Sequence, residues 1–319
     1  MRDHGGNLDA ARARFGGTGW IDLSTGINRA PYPLPPLPPE VWTALPTTPA
    51  KAALLAAAQA AFGTAAPGVA LAGAQAAIQM LPRLGPPGRA RVLAPTYNEH
   101  AAQLRAAGWQ VEEVARLTDL AGADLAAVVN PNNPDGQAHA PADLLALSGA
   151  VGRLVVDESF ADPVPDLSVA AHAGTNGLTV LRSFGKFWGL AGVRLGFVFA
   201  DAVTIAALEA AAGPWPVSGP ALEIGRTALA DAPWRAATIA RLAAETARLD
   251  ALAQGAGWSL VGGTALFRTY ATPDAPAAQE GLARARIWSR IFPWSPSWLR
   301  LGLPGGVAEW DRLSAALAR

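Results

Sequence analysis

Short apolar runs recur along the first two thirds of the chain, separated by stretches with helical spacing. Val69-Ala-Leu-Ala reads as a strand, followed by Gly73 and a helix through Met80. Arg91-Val-Leu-Ala is a second strand, stopped by Pro95, with a helix over about 99–107 behind it. Leu125-Ala-Ala-Val-Val, Arg153-Leu-Val-Val-Asp157, Leu178-Thr-Val-Leu-Arg-Ser183 and Arg194-Leu-Gly-Phe-Val-Phe-Ala continue the series. Runs of this length, bounded by turn residues and alternating with helices, predict a mostly parallel sheet covered on both faces. In such sheets ligands sit at the carboxyl ends of the strands.

Ahead of this series, residues 50–62 predict an alanine- and leucine-rich helix. Residues 31–39, Pro-Tyr-Pro-Leu-Pro-Pro-Leu-Pro-Pro, must be extended, because proline fixes φ and removes donors; a stiff connector fits better than a recognition peptide. From about residue 205 the pattern changes. A long helical region over about 221–254 precedes strand-like Ser259-Leu-Val and Ala265-Leu-Phe-Arg-Thr-Tyr, then Arg286-Ile-Trp-Ser-Arg290, Trp298-Leu-Arg300-Leu-Gly-Leu and a closing helix over 307–318. The pattern divides the chain into an arm and part of a small domain (1–48), a large α/β domain (49–204) and a small α+β C-terminal domain (205–319).

Composition removes whole classes of function. The 319 residues carry no net charge, so nothing suggests a nucleic-acid or acidic-membrane partner. The absence of cysteine excludes disulfides, thiolate chemistry and cysteine metal sites. His4, His100, His139 and His172 lie far apart without ligand spacing, so no metal is expected. The polar N-terminus lacks the apolar segment of a signal peptide, and alanine-rich runs are broken well short of a membrane span. The expectation is a soluble cytoplasmic protein.

Against that background two lysines matter. The chain has 23 arginines and only Lys51 and Lys186. Arginine replaces lysine as a surface charge but not as an amine nucleophile. Lys51 opens a helix and reads as a solvated charge. Lys186, in Ser183-Phe-Gly-Lys186-Phe-Trp-Gly-Leu-Ala-Gly-Val-Arg194-Leu-Gly, is a candidate covalent anchor for an aldehyde cofactor.

Other strand ends carry matching chemistry. Gly73-Ala74-Gln75 sits at a strand-to-helix junction, where free backbone amides can take a phosphate. Tyr97 could lay its ring on a flat cofactor or belong to the core. Asn130-Pro-Asn-Asn133-Pro-Asp-Gly136 offers a side-chain amide to a phenolate-type oxygen, or is a plain turn. Asp157 closes a buried strand, where a carboxylate is costly without a partner; a protonated pyridine nitrogen would be one. Ser183 and Arg194 could share a phosphate.

Taken in order, phosphate turn, aromatic, Asn, Asp, Ser-x-x-Lys and Arg-x-Gly resemble the fold type I pyridoxal-phosphate enzymes, the aspartate aminotransferase superfamily, over nearly the whole chain. The resemblance implies the PLP-dependent transferase fold, with pyridoxal 5'-phosphate held in the large domain. It implies that Lys186 anchors the cofactor covalently, Asp157 pairs with the pyridine nitrogen and Asn133 contacts the ring hydroxyl. Ala74, Gln75, Ser183 and Arg194 would bind the phosphate, with Tyr97 stacked on the ring. It also implies a homodimer.

Asp3-His4-Gly5-Gly6-Asn7, Asp22-Leu-Ser-Thr-Gly-Ile-Asn28 and Asp157-Glu-Ser-Phe160 are similar to the threonine-phosphate decarboxylase family of cobalamin biosynthesis. That branch carries phenylalanine where many aminotransferases have a tyrosine. The likeness implies decarboxylation of L-threonine O-3-phosphate to (R)-1-aminopropan-2-yl phosphate. His4, Gly5, Asn28 and Asn133 would then contact substrate, and Arg290 and Arg300 would bind its phosphate and carboxylate. The alternatives are an aminotransferase of the histidinol-phosphate type and a non-catalytic homologue acting as a pathway partner. The chain departs from the family pattern at Arg29, where proline usually follows the asparagine. It also departs at Leu45-Pro46, where the family often has tyrosine-proline, and at Gly185, where a hydroxyl residue is usual. The loop between Arg290 and Arg300 is short.

Overall fold

The computed structural model describes residues 5–318. The described residues form two compact units, one from 5–31, 134–137 and 235–318, the other from 32–133 and 138–234. The pattern-based boundaries differ from these at three places, one of them the short segment 134–137, which clusters with the small unit. Residues 32–48 and 205–234 cluster with the large unit, because the helix Gly219–Ala230 packs on the helix Thr48–Phe62 and the helix Ala202–Ala212 on the strand Gly68–Leu71.

The large unit is built on a seven-stranded sheet in the order Gly68–Leu71, Gly196–Phe199, Leu178–Ser183, Leu154–Asp157, Leu125–Val129, Arg89–Leu93, Gln110–Val114. All its pairings are parallel except the two made by Gly196–Phe199. Two reversals leave Gly68–Leu71 running with the parallel strands. One edge of the sheet therefore gathers the carboxyl ends of the parallel strands and the start of Gly196–Phe199. The register fixes this, with Leu71 and Ser183 both opposite Gly196, and Asp157 opposite Val129 and Leu181.

The apolar runs are continuous because both faces of the sheet are covered. Successive side chains alternate between faces. Leu125, Ala127, Val155 and Leu181 join a core with Ile78 and Leu104. Ala126, Val128, Leu154, Val156, Leu178 and Val180 join another with Leu144 and Leu147. The strand Gln110–Val114 escapes the hydrophobic pattern. It is an edge strand with Glu112 and Glu113 exposed, and charge on an edge blocks further pairing.

The helix expected over 50–62 spans Thr48–Phe62, capped by the Thr47 hydroxyl, which accepts from Ala50 N, and ended by Gly63 at φ 64°. The long helical region is two helices, Gly219–Ala230 and Ala232–Gly255. Asp231 interrupts it, because its carboxylate accepts from Trp234 N at 2.9 Å and caps the second helix, with Pro233 in the first turn. The proline-rich stretch carries no regular secondary structure through Pro38, but Pro39 departs from the expected extended form, since at φ −55° and ψ −31° it opens the helix Glu40–Thr43.

In the small unit the strands Arg290–Phe292, Ser295–Gly302, Phe267–Ala271 and Ser259–Thr264 form an antiparallel sheet in that order. Ile21–Asp22 pairs in parallel with Ile287–Trp288. No helix among the described residues is long and apolar enough to cross a membrane.

Candidate active site

The gathered edge of the large sheet opens into a cavity. Ala74, Gln75, Tyr97, Asn133, Asp157, Ser183, Lys186 and Arg194 all line it, with Gly73, Ser159, Phe160 and Gly185 between them. The whole cofactor set read from the sequence is thus brought to one place within one unit.

Local sequence explains each position. Gly73 has φ 81°, a left-handed conformation that favours glycine, and a Cβ there would lie 2.7 Å from an Arg194 guanidinium nitrogen. Gly196 lets the helix Ala74–Met80 approach, since its Cβ would meet Ala74 N at 2.4 Å. The Arg-x-Gly spacing therefore serves both the cation and the backbone amides. Gly185 also has a packing reason, because a Cβ there would reach Ala191 Cα at 3.0 Å. The hydroxyl residue usual in the family has no easy room here.

Lys186 lies in a turn anchored from behind by aromatic rings. Phe184, Phe187 and Trp188 are fully buried. Trp188 stacks on Phe184 and Trp234 at 5.6 and 5.1 Å, and Tyr32 from the proline-rich stretch closes edge-on at 6.0 Å. Such a cluster holds the turn by apolar burial and ring geometry. The Lys186 Nζ stands 5.6 Å from the Phe160 ring centroid.

Of the three asparagines after the strand Leu125–Val129, only Asn133 lines the cavity. Asn130 accepts from His139 N at 2.8 Å and donates to His139 O. Asn132 accepts from the Thr96 hydroxyl at 2.6 Å and donates to Pro95 O. Asn130 binds its own loop and Asn132 the neighbouring Pro95-Thr96 loop, while Asn133, in the turn between them and Gly136, faces the cavity.

Asp157 is buried, yet every donor around it favours its charge. Ser159 N and Oγ donate to Oδ1 at 3.0 and 2.5 Å, and His100 Nε2 lies 2.9 Å from Oδ2. A carboxylate only accepts, so Nε2 carries the hydrogen. Burial pushes the carboxyl pKa up, but His100 and the Ser159 bonds outweigh it, and the net shift is downward. A depressed folded-state pKa adds stability that is complete above about pH 4 and disappears as pH falls through the folded value. Asp157→Asn is expected to flatten that part of the acid limb when urea midpoints are measured from neutral pH downward. An unchanged acid limb would mean that Asp157 is not held ionised.

His100 and Ser159 were not singled out in the sequence. A readable signal existed, since His100 follows Tyr97 by three residues at the start of a helix and Ser159 follows Asp157 by two.

Of the substrate contacts expected from the sequence, Gly5, Asn28, Arg290 and Arg300 fall in the small unit, whereas Asn133 lines the cavity of the large one. His4 lies outside the described residues. Gly5 packs against Ser24, whose carbonyl a Cβ would meet at 2.3 Å, and Gly6 N donates to Ser24 Oγ at 2.7 Å. Arg300 donates to the same Ser24 carbonyl at 2.6 Å. Arg290 faces Arg300 across the antiparallel pair. Burial, then the Arg290 charge, push the Arg300 guanidinium down to about 9 while Asp22 opposes them. It remains charged at neutral pH, so two neighbouring cations favour a shared anion. Asn28 is held differently, with its Oδ1 accepting from Arg241 at 2.8 Å and from Ala30 N at 3.1 Å. Ser24 lies in the segment 22–28 noted in the sequence, where no role was assigned to it, and Arg241 carried no sequence signal. Arg29, in place of the family's proline, forms an ion pair with Glu309 in the helix Val307–Leu317.

The donor set of the large-unit cavity suits a flat, phosphorylated, aldehyde-bearing cofactor: an amine, a carboxylate kept ionised, an amide, a ring face, and a cation beside a glycine turn. The chain belongs to the class I and II aminotransferase family, whose model matches residues 42–316. It is 45% identical to a threonine-phosphate decarboxylase of Sinorhizobium sp over 99% of this chain and 97% of that one. A threonine-phosphate decarboxylase of Pseudomonas aeruginosa is 44% identical over the same shares. Among solved structures, the histidinol-phosphate aminotransferase of Sinorhizobium meliloti in complex with pyridoxal-5'-phosphate superimposes with a TM-score of 0.83 at 19% identity, over 97% of this chain and 93% of that one.

Proposed function

We propose that this protein is a pyridoxal-phosphate-dependent carboxy-lyase that converts L-threonine O-3-phosphate to (R)-1-aminopropan-2-yl phosphate in cobalamin biosynthesis. The near-full-length identity to threonine-phosphate decarboxylases carries the reading. The composition of the cavity supports it.

When bound, pyridoxal phosphate supplies an electron sink for the pair left by the departing carboxylate. The chain's residues do the rest. Lys186 Nζ would hold the aldehyde carbon covalently, and its amine would serve as the proton donor to the substrate α-carbon. Asp157, kept ionised by His100 and Ser159, holds a proton on the pyridine nitrogen. Asn133 donates to the ring hydroxyl, and Tyr97 offers its ring face. The backbone amides of Ala74 and Gln75, the Ser183 hydroxyl and the Arg194 guanidinium take the phosphate. Arg290 and Arg300 take the substrate's phosphate and carboxylate, with His4, Gly5, Asn28 and Asn133 completing the contacts. The placement of Arg290 and Arg300 would favour loss of CO2 over loss of the α-proton by the way it orients the substrate carboxylate. The working form is a homodimer in the cytoplasm.

The test is CO2 release from L-threonine O-phosphate by purified protein supplied with pyridoxal phosphate. Release with aminopropanol phosphate as product is expected. Bound cofactor with no CO2, but amino transfer from histidinol phosphate, would replace this reading with an aminotransferase. Bound cofactor with neither activity would leave a pathway-partner homologue.

A further inference from the structure

Two cavity residues are tied to a carboxylate that does not line the cavity. The Tyr97 hydroxyl donates to Gln75 Oε1 at 3.1 Å, and Gln75 Nε2 donates to Glu99 Oε2 at 3.0 Å. Gln103 Nε2 donates to the same oxygen at 3.1 Å. Glu99 is 5% exposed, so its burial requires a return. Near a phosphate-binding turn its charge does nothing to attract the ligand.

We propose that Glu99 is a positioning residue that presets the Tyr97 ring for the cofactor by fixing the orientation of the Gln75 amide. This rests on the assignment of Tyr97 to the cofactor ring face made above. The polarity of the chain of hydrogen bonds leaves one arrangement. A carboxylate accepts only, so Gln75 must turn its amino group toward Glu99 and its carbonyl toward Tyr97. The phenol must then donate to Gln75. His100 meets the Tyr97 ring in an edge-on arrangement at 6.2 Å and 82° and restrains it further. The ring is thereby ordered before any ligand arrives, and preorganisation reduces the entropy lost on binding. Gln103, one turn along the helix Glu99–Ala106, holds the carboxylate from behind.

The arrangement also sharpens the role of Gln75. Its Nε2 gives one of two N–H groups to Glu99 and its Oε1 accepts from Tyr97, which fixes the orientation of the amide and leaves the second N–H and the backbone amide as its donors.

The test is a double-mutant cycle on the full-length apoprotein, with dissociation constants for pyridoxal phosphate read by fluorescence titration. Tyr97→Phe keeps the ring and removes the tie. Glu99→Ala removes the anchor. Each is expected to weaken binding about three- to tenfold, the worth of a net hydrogen bond. The double variant should be no weaker than the poorer single one, because both cut the same chain. The circular-dichroism band of the bound cofactor should change alike in all three. Additive losses, or a Glu99→Ala variant with native affinity and an unchanged band, would overturn the proposal. Should Glu99→Ala not fold, Glu99→Gln in the same cycle gives a smaller non-additive loss if the proposal holds and additivity if it does not. Tyr97→Ala is the separate control, since native affinity there would remove the ring-face assignment itself.

Discussion

Lys186→Ala is expected to abolish CO2 release, with a loss of at least about a thousandfold, and to remove the yellow absorbance of the bound cofactor. The argument is chemical before it is structural. No other lysine lines the cavity, and Lys51 donates to Pro214 O. Arginine cannot substitute as nucleophile or as proton donor to carbon at neutral pH, so Lys186→Arg should fail equally. General acid–base action alone is worth about a hundred- to ten-thousandfold, and the covalent role adds to it. Folding should survive, since Phe184, Phe187 and Trp188 hold the turn without the lysine. The measurements are visible absorbance after reconstitution and a CO2 assay on the same sample. A variant that kept the wild-type spectrum would show that the anchor lies elsewhere.

Arg182→Met is expected to cost about 3–5 kcal/mol of folding stability, the usual penalty for breaking a buried ion pair from one side. Arg182 donates to Glu158 at 2.7 Å and to Asp162 at 3.1 Å, and all three are nearly inaccessible to solvent. Burial pulls the guanidinium pKa down, but the two carboxylates outweigh it and the net shift is upward. Removing the cation leaves Glu158 with the Ser168 hydroxyl and Val169 N as donors, but takes the guanidinium from both carboxylates. The damage should reach the site, because Glu158 follows Asp157 and Arg182 precedes Ser183. Urea unfolding gives the stability, and cofactor affinity of the folded variant gives the local effect. Replacing Glu158, Asp162 and Arg182 together by apolar residues of similar volume should cost much less. A single-variant loss below about 1 kcal/mol would mean that the triad is not ionised as described.

Much of the cavity lining was legible in the sequence because its chemistry is punctuated by strand ends. A buried strand closing on Asp157, a lone lysine in Ser-x-x-Lys, and a glycine turn before a helix are local signals. The alternation of apolar runs with helices fixed which edge of a parallel sheet would collect them. Composition excluded disulfides and argued against a nucleic-acid partner without any structure. The domain boundaries were less readable, since residues 32–48 and 205–234 join the large unit through packing between helices distant in sequence.

What tertiary structure alone decided is how those groups are held. His100, Ser159, Glu99 and Arg182 act through neighbours brought close by the sheet register and by helices packed across it. Arg241 reaches Asn28 across 213 positions of chain. A sequence states which side chains exist and how they alternate. It does not state which donor meets which carboxylate, because that depends on distances set only when separate elements pack.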